Sequence, residues 1–196
     1  MAWLAACAVA GPVHAGGGQD RRLAAELAVL AGDVHRLRQE RLRPLERRGL
    51  EQRLAGSLSS LPLSLRRAGG DSTTVKELRR RLAQRDWPGL ARGLQELRER
   101  HPFDARPLLA NVSAGEASQT GAEIHRTTCA GCHDAPADID ALLPAQRLPA
   151  QLKSMSREEF AARLWLGVRG GKATGYANPF SDRELAALIA WYATAH

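Results

Sequence analysis

Cys129-Ala130-Gly131-Cys132-His133 is the one string in this chain whose residue types and spacing carry chemistry of their own. In a C-x-x-C-H string two thiols can form thioether bonds to a haem, and the next side chain can ligate its iron. The spacing has a physical basis. Residues three apart on a helical turn share a side, so both sulfurs reach one edge of a porphyrin while His133 projects beneath it. Two rival chemistries use a C-x-x-C pair. A zinc site needs further Cys or His ligands, and the only other cysteine, Cys7, lies far away near the start. A thioredoxin-like redox pair sits in a βαβ unit, which nothing in the pattern suggests. The expected cofactor is therefore one covalent haem c, held by Cys129 and Cys132, with His133 as the metal ligand. No nucleotide loop, carboxylate dyad or nucleophile triad is visible, so no catalytic residue is assigned.

The elements that must position this string are helical. Leu23, Leu27, Leu30, Val34 and Leu37 follow a heptad-like seam, read as the buried stripe of a bundle. Pro44 and Gly49 interrupt it. Leu50, Leu54, Leu58 and Leu61 continue as a second helix stopped near Pro62, with a loop from Arg66 to Gly70. Ser72 or Thr73 caps a third helix carrying Val75, Leu78 and Leu82. Asp86 and Pro88 open a fourth, with Leu90, Leu94 and Leu97 on one face, ended by His101-Pro102. The small, polar stretch 111–120 is the expected domain boundary. A short helix over 122–128 leads into the cysteines. Ser156 with Glu159, and Ser181 with Glu184, make capping boxes for two further helices, the last reaching about Ala193. The expected fold class is all-α: an arginine-rich helical bundle over 20–110 and a haem domain over 115–196.

The 196 residues carry a net charge of +7, unevenly placed. Asp20 to Ala110 holds 20 basic and 12 acidic residues, +8, whereas Asn111 to His196 holds 8 and 9, −1. The basic surface belongs to the first half. It reads either as a solvated arginine face or as a docking surface for an acidic redox partner or a membrane surface. Residues 1–15 read as a signal peptide: an apolar run closed by Val13-His14-Ala15, a small-x-small cleavage pattern. The run carries no Lys or Arg, as in a signal whose start lies further upstream. Leu4-Ala5-Ala6-Cys7 also resembles a lipoprotein signal with Cys7 lipidated. The expected location is periplasmic or otherwise exported, which argues against nucleic acid as a partner. No stretch is apolar enough over sufficient length to span a bilayer.

From Gly115 to His196 the chain resembles the class I, mono-haem cytochrome c family. Beyond the five-residue string, Gly121 lies eight residues before Cys129, where that family has a small residue on its first helix. Ile124 fills the adjacent apolar position, and His125 stands where an aromatic is usual. Ser181 through Tyr192 looks like the family's C-terminal helix. The resemblance implies that these two helices cross at Gly121, with Ile124, Leu188, Ile189, Trp191 and Tyr192 at the crossing. It implies that Cys129 and Cys132 attach haem and that His133 is the proximal ligand, oriented by a loop proline; Pro144 and Pro149 both qualify. It also implies a sixth ligand, usually a Met before the last helix. The window Gly171 to Phe180 contains no Met. The remaining candidates are Met155, Tyr176, Lys172, His125, His196, or water or no ligand. The function implied is one-electron transfer, as a carrier or as the haem subunit of a redox complex. The missing Met leaves an alternative: binding or sensing of NO, CO or peroxide at an open iron position.

Overall fold

The computed structural model describes residues 16–39, 41–134, 148–167 and 178–194. The signal-peptide reading, Cys7, Pro144, Lys172, Tyr176 and His196 fall outside them. Every regular element among the described residues is a helix, so the fold is all-α. We label the helices α1 (Gly16–Leu37), α2 (Pro44–Arg67), α3 (Thr74–Ala83), α4 (Trp87–Arg100), α5 (the helical run 114–133), α6 (Leu148–Ser154), α7 (Arg157–Leu166) and α8 (Asp182–Thr194). A short 3-10 turn, Arg106–Leu109, lies between α4 and α5.

Helices α1 to α4 close around leucine. All five seam residues of α1 are buried with Leu50, Leu54, Leu58, Leu61 and Leu65 of α2, Val75 and Leu78 of α3, and Leu90, Leu94 and Leu97 of α4. Each fully buried leucine of this kind is worth about 1.5–3 kcal/mol, so the five of α2 together outweigh the cost of about 1 kcal/mol for a glycine and about 3 kcal/mol for a proline inside a helix. This excess lets α2 run through two residues expected to interrupt it. Gly49 lies inside the helix with open space around it. Pro62 lies inside as well, and α2 continues past it to Arg67, into the segment expected as a loop. Proline has no N–H to give the carbonyl of Leu58. Arg79 of α3 supplies the missing donor, Nε to Leu58 O at 3.1 Å and Nη2 to Ser59 O at 3.2 Å.

The caps follow from side-chain chemistry. Asp86 accepts from Gly89 N at 2.9 Å, and Ser156 from Glu159 N at 3.1 Å. Ser181 and Glu184 form a reciprocal box, 3.3 Å and 2.7 Å. Thr73 occupies the N-cap of α3 without a side-chain cap bond. Asp71 instead accepts from Thr73 N at 2.9 Å and from its hydroxyl.

The second core gathers Ile124 of α5, Leu148 of α6, Phe160 and Ala161 of α7, and Leu185, Leu188, Ile189 and Tyr192 of α8. Ala105 and Leu108 join it from before the expected boundary. The stretch 111–120 is not a linker throughout. Ser113 caps α5 by accepting from Glu116 N at 3.1 Å, and the helix runs unbroken from 114, well before the expected start at Ala122.

The two cores are joined through α1, which is buried on a second face. Ala25 and Ala28 meet Ala162 of α7, with Val29 and Trp165 alongside. A Cβ on Gly32 would strike the Glu159 carboxylate, so only glycine leaves that side chain its place. At this junction Asp33 is fully buried and receives three guanidinium groups: Arg36 at 2.7 Å, Arg53 of α2 at 2.5 Å and Arg163 of α7 at 2.5 Å. Glu159 shares Arg36 at 2.9 Å and Arg163 at 2.7 Å. Burial by itself would raise the Asp33 carboxyl; Arg53 and Arg163 outweigh it and hold it below its ordinary value. Further out, Arg21 pairs with Asp182 of α8 at 2.8 Å and lies over the Trp165 ring at 4.8 Å.

Candidate functional site

Helix α5 brings the motif residues to the edge of the second core. It is wound with two π-type turns, Ala117–Gly121 and His125–Cys129, before the final turn Ala130–His133. Each π turn takes in an extra residue, which re-aims the side chains that follow it. The first ends at Gly121, and the lack of a side chain there is what lets α5 and α8 cross. A Cβ at this position would lie 2.5 Å from Ala187 O and 2.8 Å from Trp191 Cβ. The crossing expected at Gly121 is therefore present, with Ile124, Leu188, Ile189 and Tyr192 buried around it and Trp191 packed alongside.

The second π turn ends at Cys129. Cys129 is half-buried against the core, Cys132 is exposed and His133 is half-buried; both thiols are free. Burial raises the Cys129 thiol above its ordinary range, opposed by its hydrogen bond with Tyr192. Burial likewise pushes the Tyr192 phenol strongly upward. Neither group is thereby prepared to act as an anion at neutral pH.

His125, named above among the sixth-ligand candidates, is buried with both ring nitrogens engaged. Nδ1 lies 2.9 Å from the Tyr192 hydroxyl and Nε2 2.9 Å from Asp134 Oδ2. It has no nitrogen left for a metal, and this removes it from that set. Its ring sits 4.7 Å from Trp191 and 5.5 Å, edge-on, from Tyr192, filling the space expected of an aromatic.

Met155, the single methionine among the described residues, follows α6. It touches the second core and lines a groove of about 490 Å³ with Ala28, Gly32, His35 and Arg36 of α1. Pro149 is half-buried on α6. Trp165 packs on Phe103 at 6.4 Å and under Arg21, a core role. No group of three or more His, Cys, Asp or Glu side chains converges among the described residues.

The donor set fits a covalently held haem. Two unpaired thiols stand three residues apart on one helix end, the inner one at the margin of an apolar core, and an imidazole follows directly. Tyr192 and Asp134 were not identified from the sequence as part of this site. The available signal was His125 itself, a polar residue at a buried position of α5 that must find partners for two nitrogens.

Comparison of the chain with protein-family profiles, curated proteins and solved structures returned no match. No described helix is long and apolar enough to cross a membrane.

Proposed function

We propose that this chain is an exported c-type cytochrome that transfers single electrons, as a carrier or as the haem subunit of a redox complex. Cys129 and Cys132 would hold one haem c, and His133 would ligate its iron. The observation that carries this reading is the Cys129–His133 turn: both thiols are free, and the turn ends the helix that crosses α8 at Gly121. When bound, the haem supplies a one-electron ferrous/ferric couple. The chain's own residues do the rest. The apolar second core shields one side of the site, His133 offers a nitrogen, and the arginine surface of α1 to α4 steers an acidic partner, an attraction that salt weakens.

The test is expression in a host that attaches haem c. The expected product keeps one haem through denaturation, as seen by intact mass, and Cys129→Ala with Cys132→Ala abolishes it. A wild-type chain that carries no covalent haem under these conditions refutes the proposal. The lack of a methionine from Gly171 to Phe180 supports a second reading, binding of NO, CO or peroxide. A ferrous spectrum unchanged by CO excludes it.

A further inference from the structure

We propose that His125 is a positioning residue for the candidate ligand turn, holding Asp134, and with it the backbone just after His133, against the final helix; this rests on the haem reading above. The chain of contacts runs from α8 to the end of α5. Tyr192, fully buried on α8, lies 2.9 Å from His125 Nδ1, and His125 Nε2 lies 2.9 Å from Asp134 Oδ2. The tyrosine hydroxyl also bonds the Cys129 thiol.

Donor and acceptor roles follow from the carboxylate. An ionised Asp134 can only accept, so Nε2 carries the hydrogen. In the neutral ring Nδ1 then accepts from the Tyr192 O–H. Both ring nitrogens of His125 thus have a partner, and the two bonds run in one direction, from Tyr192 to Asp134. Asp134 is bonded a second way, through its own N–H to Ala130 O at 2.9 Å. Its two ends are thus fixed from two sides, the helix end below and His125 above. His133 sits between Cys132 and Asp134, so whatever fixes Asp134 restricts the His133 backbone.

Packing alone does not require histidine here. A phenyl ring would fill the same space between Trp191 and Tyr192 but could not hold Asp134. A glutamine reaches about as far as Nε2 and offers an amide N–H there. The hydrogen bond, not the ring, is therefore the separable element. At about 1 kcal/mol, its loss corresponds to roughly a fivefold shift in the ratio of ordered to displaced turn.

The experiment uses the haem-loaded full chain and reads the ferric EPR spectrum, which reports ligand orientation, with far-UV circular dichroism as the check on folding. Wild type, His125→Phe, His125→Gln and Asp134→Ala are compared. The expected result is a second ferric signal, grown about fivefold, in His125→Phe and Asp134→Ala, and a wild-type spectrum in His125→Gln. An unchanged spectrum in both His125→Phe and Asp134→Ala overturns the inference, as does a His125→Gln spectrum altered like that of His125→Phe. Should His125→Phe lose helix content, Asp134→Ala, at a half-exposed side chain, decides alone. A wild-type chain without covalent haem is a different outcome: it defeats the haem reading before any variant is compared.

Discussion

Replacing Asp33 by alanine tests whether the junction between the two cores is held by charge. The carboxylate is fully buried, and it is the shared acceptor of Arg36, Arg53 and Arg163. Its removal leaves three guanidinium groups facing Glu159 alone. Breaking a buried ion pair from one side costs about 3–5 kcal/mol, because the remaining charge is stranded. Here the arginine side chains keep 22%, 40% and 20% exposure, so water can reach part of each. That relief brings the expected loss to about 2–3 kcal/mol. Urea unfolding of the full chain, followed by far-UV circular dichroism, measures it as a fall in midpoint at unchanged slope. A loss under about 1 kcal/mol, the range of an exposed pair, would refute the reasoning and show that the apolar seam alone fixes α1 on α7.

Four further outcomes are expected. The arginines hold the Asp33 carboxyl below its ordinary value of 3.8, so its contribution is complete above that pH and is lost as pH falls below it towards the lowered folded value; acid titration of wild type should show this loss, and Asp33→Asn should not. Gly121→Ala should cost about 1–2 kcal/mol net in thermal unfolding, since overpacking against a backbone carbonyl exceeds the helix-propensity gain of ~1 kcal/mol. The same change at Gly49, with open space around it, should stabilise by up to ~1 kcal/mol. Arg79→Ala should cost about 1 kcal/mol, and a double-mutant cycle should show that cost shrinking in a Pro62→Ala background, where residue 62 regains an N–H for Leu58 O.

What the sequence made legible was whatever repeats locally. The α1 seam and the leucines of α2 announce themselves by spacing, and Asp86, Ser156 and Ser181 announce helix starts by side-chain type. Gly121 was readable because the resemblance assigned it a purpose. Pro62 misled, because the group that compensates it, Arg79, belongs to another helix. The second buried face of α1 was invisible for a different reason. It is built of alanine and glycine, whose hydrophobic signal is weak and whose burial depends on Glu159 and Ala162 of α7, a helix far along the chain. The same holds for the candidate site. The five-residue motif stands out in the sequence, whereas the bonds of His125 to Tyr192 and Asp134 depend on how α5 winds and where α8 crosses it.

The alanine face of α1 has a consequence for the order of folding. Helices α1 to α4 can gather their leucines first, since most of those contacts join successive helices and the packing of α1 on α4 closes a shorter loop than the contacts to α7 and α8. Asp33 then waits for Arg163, and Arg21 waits for Asp182, 161 residues on. Closing loops of that length carries an entropic penalty that is met before any contact is gained, which slows the step. Folding should therefore have a fast leucine phase and a slow docking phase. Between them, a buried-to-be carboxylate and a smooth strip of small side chains face water on an otherwise finished bundle.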